Sequence, residues 1–193
     1  MHDHLKRHAE FLRLEKAVRR CIDRGRCSPW TGRGFRFAPT RYAKPKEFLS
    51  GQGTWRKGSR WMAQHVAPVL YLSSTPELAM AEALRKFRLF GIPEWQAMPL
   101  VVAGVEVKIS ALLDLNDGAL RSSLRFSSQR MVEERWQDMN GDGLESLTQA
   151  LGRAMIATGV EGFIFPPATQ AKGFNLAIFP SSLRRSSSIK MLP

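Results

Sequence analysis

Apolar residues recur at helical spacing over residues 5–23, where Phe11, Leu14, Val18 and Ile22 share one face. That pattern predicts a helix, and Gly25 and Pro29 mark its end. Gly34-Phe-Arg-Phe-Ala38 predicts a short strand. From 39 to 58 the pattern breaks up into Pro, Gly, Lys and Ser and predicts a loop. Loops of that length within a compact domain tend to carry function or to move. Gly51 and Gly53 within it allow backbone to lie close to a ligand. A strand follows over residues 69–73. Ser74-Thr-Pro-Glu77 then starts a helix, with proline in the first turn and a capping-box pair. This helix runs to about Phe90, with Met80, Ala83, Leu84 and Phe87 as its apolar stripe.

Residues 99–109 alternate partly and predict a strand, with a second at Leu112–Leu115. Residues 117–143 are polar and poorly periodic, and Asn140-Gly-Asp-Gly143 reads as a turn. Leu144, Leu147, Leu151 and Met155 define a helix over 144–158 that Gly159 caps. Gly162–Pro166 and Phe174–Phe179 predict two closing strands. Strands and helices do not alternate in regular βαβ order, so the expected class is α+β. The expected organisation is a helical extension over 1–29 and a single domain over 30–193.

No apolar run approaches the roughly 20 residues that span a bilayer, so no membrane partner is expected. The N-terminus lacks the apolar stretch of a secretory signal, and a cytoplasmic location is expected. Cys21 and Cys27 fit no strong metal motif and read as reduced structural thiols. Asp138, Asn140 and Asp142 resemble the start of a calcium loop, but Gln149 stands where the closing glutamate belongs, so a solvated turn is the better reading. His2, His4 and His8 read as histidines of a frayed terminus. No metal is expected.

Charge changes the picture more. The net charge is +12, unevenly spread. Between Arg33 and Arg60 stand Arg33, Arg36, Arg41, Lys44, Lys46, Arg56, Lys57 and Arg60 against a lone acid, Glu47. Such a block attracts polyanions, phosphate-bearing small molecules or acidic proteins. Next to it Arg60, Tyr71 and Glu82 fall on three consecutive elements. Glu82 sits on a mostly apolar helix, on the face of Leu78, Ala81 and Arg85. On spacing alone an exposed acid is the slightly better reading. A buried carboxylate would need a partner or a chemical task.

These pieces, in this order, resemble the RES-domain toxins, the toxin halves of bacterial Xre–RES toxin–antitoxin pairs. The resemblance covers about residues 34–180. It rests on Phe35-Arg36, Gly51-Gln-Gly53, Gly58-Ser-Arg60-Trp61, Val69-Leu-Tyr71-Leu-Ser73, Glu77-Leu-Ala-Met-Ala-Glu82, Thr148-Gln-Ala-Leu-Gly152, Gly162-Phe-Ile-Phe-Pro166 and Asn175-Leu-Ala-Ile-Phe179. The chain departs from the family at Pro167, where the family has its serine, with Thr169 the nearest hydroxyl. Met62 also replaces an asparagine.

The resemblance implies a split β-sheet core like that of diphtheria-toxin-type ADP-ribosyltransferases, with flanking helices. It implies NAD+ as substrate and an Xre-type helix-turn-helix antitoxin covering the active site. Cleaving the nicotinamide–ribose bond builds positive charge on the ribose, which a carboxylate stabilises; Glu82 is the candidate. Guanidinium groups suit the diphosphate, with Arg36 and Arg60 as candidates. Tyr71, then Tyr42, is the candidate for stacking on a flat ring, and Ser73 completes the expected binding set. The acceptor is expected to be a protein. NAD+ hydrolysis or phosphorolysis is the alternative within the same chemistry. A basic nucleic-acid-binding protein or ribonuclease toxin, with Trp55 and Trp61 as stacking platforms, is the alternative outside it. That reading leaves Glu82 unexplained, so direct nucleic-acid binding is not expected.

Overall fold

The two longest strands pair with each other. In a computed structural model that describes residues 5–169 and 172–192, β1 (Ser28–Pro39) and β3 (Leu100–Asp114) run antiparallel from Ser28↔Leu112 to Pro39↔Leu100. On its other edge β3 takes β6 (Ser188–Met191) antiparallel at Val105–Lys108, then β4 (Gly162–Phe165) parallel at Leu112–Asp114. Antiparallel β5 (Asn175–Ile178) lies beside β4, and β2 (Leu70–Ser73) lies beside β5. β2 meets β1 at the single pair Phe35↔Ser73, so β1-β2-β5-β4-β3 closes on itself with β6 outside the ring. The class is α+β, as expected.

The strands expected at 99–109 and 112–115 are one strand. Between the stretch of β3 that pairs β6 and the stretch that pairs β4, the N–H groups of Ser110 and Ala111 donate to Glu161 Oε2 at 2.6 and 2.8 Å. A side chain there replaces a missing strand, so the backbone stays extended. β6 itself carries no pattern that predicts a strand.

The chain enters through an extended segment, and the first helix starts later than its periodicity suggested. Lys6 N donates to Gly143 O at 2.8 Å, and His8 N donates to Glu145 Oε2 at 2.8 Å. His2 and His4 lie outside the described residues. Helix α1 (Phe11–Asp23) then buries Leu14, Ala17, Val18 and Cys21 against α8 (Leu147–Ala157). These residues belong to the main core cluster with Leu151, Met155 and Phe163, and each fully buried Leu or Val contributes about 1.5–3 kcal/mol. The division expected at 29/30 falls inside β1. Both cysteines are free thiols, and burial raises the pKa of each.

Two stretches without helical periodicity hold short helices. Residues 39–58 form a 3-10 turn at Thr40–Tyr42, α2 (Pro45–Leu49) and α3 (Gln52–Lys57). Phe48 anchors α2 in the core with no exposure. Gly51 joins the two helices at φ +67, and a Cβ there would lie 2.8 Å from the Val69 backbone. Residues 117–143 form α5 (Gly118–Leu124), α6 (Ser128–Glu133) and α7 (Trp136–Gly141). Asp117 caps α5 and Ser127 caps α6, while Leu120, Leu124, Phe126 and Met131 enter the main core. Helices of five to seven residues are too short for periodicity to reveal. None of the helices in the described residues is long and apolar enough to cross a membrane.

Helix α4 (Pro76–Leu89) differs most from expectation. Leu78, Ala79 and Leu84 are buried, whereas Met80 and Phe87 are half-buried. The inward face is therefore centred near Leu78, and Glu82, one turn on, is turned toward the sheet rather than toward solvent.

Candidate active site

A cleft of about 450 Å³ opens where β1 and β2 part. Their ladder holds one residue pair, and residues on both sides of it line the cleft: Phe35, Arg36 and Phe37 from β1, Tyr71, Leu72 and Ser73 from β2. Gly58–Trp61, α4, α7, Phe165, Ala168 and Asn175 complete the walls.

Glu82 is held from two sides. Its Oε1 accepts from Asn175 Nδ2 at 2.9 Å and from the Ala168 N–H at 3.1 Å. Asn175 in turn accepts from Ser73 Oγ at 2.8 Å through Oδ1, and both Ser73 and Asn175 are buried. A relay from β2 through β5 to α4 thus fixes one carboxylate oxygen. Oε2 accepts no hydrogen bond from the described residues and belongs to a side chain that lines the cleft.

The same cleft holds the cations. Arg60 Nη1 donates to the Glu134 carbonyl at 3.0 Å. Burial pushes its pKa below the ordinary arginine value, and the nearby Arg85 guanidinium adds to this. Arg36 lies over the Phe48 ring at 5.5 Å and donates to Phe48 O at 3.2 Å, and burial lowers its pKa too. Both remain charged at neutral pH, since arginine starts from so high a value. The other six cations of the 33–60 block are exposed and do not line the cleft.

Tyr71 donates to Ser59 Oγ at 2.9 Å, and its ring meets Phe165 edge-on at 6.2 Å. Burial pushes the phenol well above its ordinary range, against the lowering from Ser59, Trp61 and Arg60, so it stays a neutral donor. Trp61 is 1% exposed and packs on Phe163 and Phe165 at 4.9 and 5.3 Å. Its indole N–H is buried without an acceptor among the described residues, as is Thr169 Oγ1 without a partner. Orphans of this kind cost about 1–3 kcal/mol each unless a ligand or water satisfies them.

Of the residues selected from sequence, Glu82, Arg36, Arg60, Tyr71 and Ser73 come together in this cleft. Tyr42 does not line it. That side chain packs beside the buried cluster of Phe48, Leu70 and Leu72 under the Arg41 guanidinium, 5.0 Å away, which holds its phenol below the ordinary value. Sequence reasoning missed Arg85, Trp136, Gln137 and Asn175. Arg85 was legible as the residue three after Glu82; Trp136 and Gln137 sit in the stretch without periodicity.

That stretch builds one wall. Glu134 gives its carbonyl to Arg60, and its carboxylate caps α8 through Leu147 N at 3.1 Å, Thr148 N at 2.8 Å and Thr148 Oγ1 at 2.5 Å. Gln149 Nε2 reaches Ser59 O at 2.9 Å and Asn140 Oδ1 at 2.8 Å, and Asn140 Nδ2 returns a bond to Gln149 Oε1 at 2.9 Å. The supposed calcium-loop residue Asn140 is thus tied into α8. Among the described residues no group of three or more His, Cys, Asp or Glu stands where it would hold a metal.

The RES domain model matches residues 23–191, and the chain belongs to that family. The fold is similar to that of a chain in the crystal structure of the M.tuberculosis MbcT–MbcA toxin–antitoxin complex. The two share 20% identity with a TM-score of 0.70, over 93% of this chain and 91% of that one. No curated protein matches.

Proposed function

We propose that this RES-domain protein is the toxin of a toxin–antitoxin module and cleaves NAD+ at the nicotinamide–ribose bond, passing ADP-ribose to a protein acceptor. The observation that carries the reading is Glu82: a carboxylate fixed through Oε1 by Asn175 and Ala168, with its other oxygen left for a ligand in a cleft lined by arginines. As the bond to nicotinamide lengthens, positive charge builds on the ribose. A carboxylate already held in place stabilises that charge with little reorganisation. The arginines offset the diphosphate, and neutral Tyr71 offers an aromatic face for the nicotinamide or adenine ring. The cleft, of about 450 Å³, suits part of a dinucleotide.

The closed strand set with its β1–β2 split supports an ADP-ribosyltransferase-like core of the diphtheria-toxin type. The structurally similar chain belongs to a complex of a toxin with its antitoxin. We extend that arrangement to this chain, with an Xre-type helix-turn-helix antitoxin over the cleft and a cytoplasmic site of action. The six exposed cations of the 33–60 block suit an acidic partner surface.

The test is incubation with adenine-labelled NAD+, alone and with cell lysate, following nicotinamide release and label on protein. Label on a discrete protein, lost in Glu82→Gln, is the expected result. Nicotinamide release without protein label would replace the transferase by NAD+ degradation. Neither signal under any condition would refute the enzyme reading.

A further inference from the structure

The formal charges in the cleft do not balance. Arg36, Arg60 and Arg85 line it, and Glu82 is the one lining carboxylate, which leaves an excess of two positive charges. The Glu134 carboxylate, which caps α8 and does not line the cleft, offsets part of the charge on Arg60 from outside it. The three guanidiniums also differ in how much of their donor capacity is engaged. Arg36 donates to Phe48 O and lies against the Phe48 ring. Arg60 spends one N–H on Glu134 O. The Arg85 side chain makes no hydrogen bond or ion pair to any described residue, although it is half-buried and lines the cleft. Arg60 and Arg85 act on each other as like charges, and an anion seated between them removes that cost.

We infer that Arg85, acting with Arg60, grips the diphosphate of the dinucleotide and sets the enzyme's preference for a diphosphate-bearing substrate. This rests on the NAD+ reading above. A diphosphate carries two negative charges, matching the excess among the lining side chains, and Arg85 with the uncommitted N–H groups of Arg60 offers it paired donors. Glu82 stands one helical turn before Arg85. A dinucleotide held at Arg85 therefore places the adjoining ribose beside Glu82 without any movement of α4. Arg36, already engaged with Phe48, serves mainly as part of the wall on which the ligand lies.

The test is calorimetric binding of ADP-ribose, which carries the diphosphate and needs no chemistry. Arg85→Gln is expected to weaken ADP-ribose binding by about tenfold to a hundredfold, the range for a charged hydrogen bond. Arg85→Lys is expected to recover only part of the loss, because an ammonium lacks the fork. An unchanged thermal melt keeps the comparison to the folded protein. Steady-state NAD+ turnover then shows the loss mainly in KM, whereas a merely structural lesion lowers kcat as well.

Equal ADP-ribose affinity in wild type and Arg85→Gln overturns the inference while leaving NAD+ cleavage standing. If wild type binds neither ADP-ribose nor NAD+, the functional reading fails with it. Inorganic phosphate supplies the third arm. If Arg85→Gln weakens binding of inorganic phosphate and leaves ADP-ribose untouched, the pair is a site for free phosphate and the diphosphate assignment is wrong.

Discussion

Asn175→Ala isolates the positioning of Glu82 from its chemistry. The amide lies between Ser73 Oγ, 2.8 Å away, and Glu82 Oε1, 2.9 Å away, and is 6% exposed. Its removal halves the bonds that hold the carboxylate, leaving the Ala168 N–H at 3.1 Å. A hydrogen bond to a charged group contributes about 1.5–3 kcal/mol. If that stabilisation serves to hold Glu82 in its reactive pose, kcat for NAD+ cleavage falls by about ten- to 150-fold, since each 1.36 kcal/mol is about tenfold. The truncation also strands the Ser73 hydroxyl, which costs about 1–3 kcal/mol of stability. The double variant Ser73→Ala/Asn175→Ala removes the stranded group, so it regains stability and regains no activity. The assay is nicotinamide release, read beside a thermal melt of each variant. Wild-type turnover by a folded Asn175→Ala protein would falsify the positioning role, and recovery of turnover in the double variant would show that stability alone was at stake.

Arg60→Lys keeps the charge but loses the fork shared between Glu134 O and the ligand, so KM for NAD+ rises about tenfold; an unchanged KM removes fork geometry from the argument. Glu161 is fully buried. Burial raises its pKa, but the Ser187 hydroxyl and the N–H groups of Arg184, Ser110 and Ala111 together hold it below the ordinary carboxylate value. A depressed folded value means that the stabilisation is complete above the unfolded pKa of about 4.3 and is lost as pH falls through the folded one. Acid unfolding of wild type should therefore steepen below about pH 4.3. Glu161→Gln should cost about 2–4 kcal/mol at pH 7 and flatten that limb. Chemical denaturation at several pH values checks both, and parallel profiles refute the assignment. Gly152→Ala sets a Cβ 1.9 Å from the Trp61 carbonyl oxygen, so it should cost about 3 kcal/mol or more and lower the melting point sharply; an undisturbed melt contradicts the packing of α8 on the Gly58–Trp61 turn.

The strands were legible because their cores are continuous runs: 69–73, 162–166 and 174–179 lie within a residue or so of β2, β4 and β5. The limits of legibility have physical causes. β3 is one strand because Glu161, fifty residues away, feeds hydrogen bonds to Ser110 and Ala111, and local pattern contains no trace of that. The inward face of α4 was misjudged because Met80 and Phe87 outweigh Leu78 and Ala79 by size. The sheet accepts the smaller pair and leaves the larger half out. Glu82 then turns inward for the same reason. The Arg-Tyr-Glu grouping came from residue chemistry and from the family resemblance, and the cleft contains all three. Tyr42 was included because it lies in the same basic stretch, yet a 3-10 turn carries it away from the opening.

The position of the cleft follows from the ring itself. Five strands close only if β1 serves two partners, and β1 gives nearly all of its length to β3. One pair, Phe35↔Ser73, is left for β2. Beyond it the two strands separate, and their side chains flank a gap instead of crossing a ladder. A relay of Ser73, Asn175 and Glu82 starts at that last pair, so the carboxylate is fixed at the edge where the sheet gives way. The far wall comes from Trp136 and Gln137, on a segment that Glu134 fastens to the N-terminus of α8. Because the Glu134 carbonyl also orients Arg60, loosening that cap moves a cation of the site as well as a helix end. Glu134→Ala is therefore expected to weaken ADP-ribose binding although its carboxylate never faces the cleft. A variant that melts earlier yet binds ADP-ribose as tightly as wild type would sever the two roles.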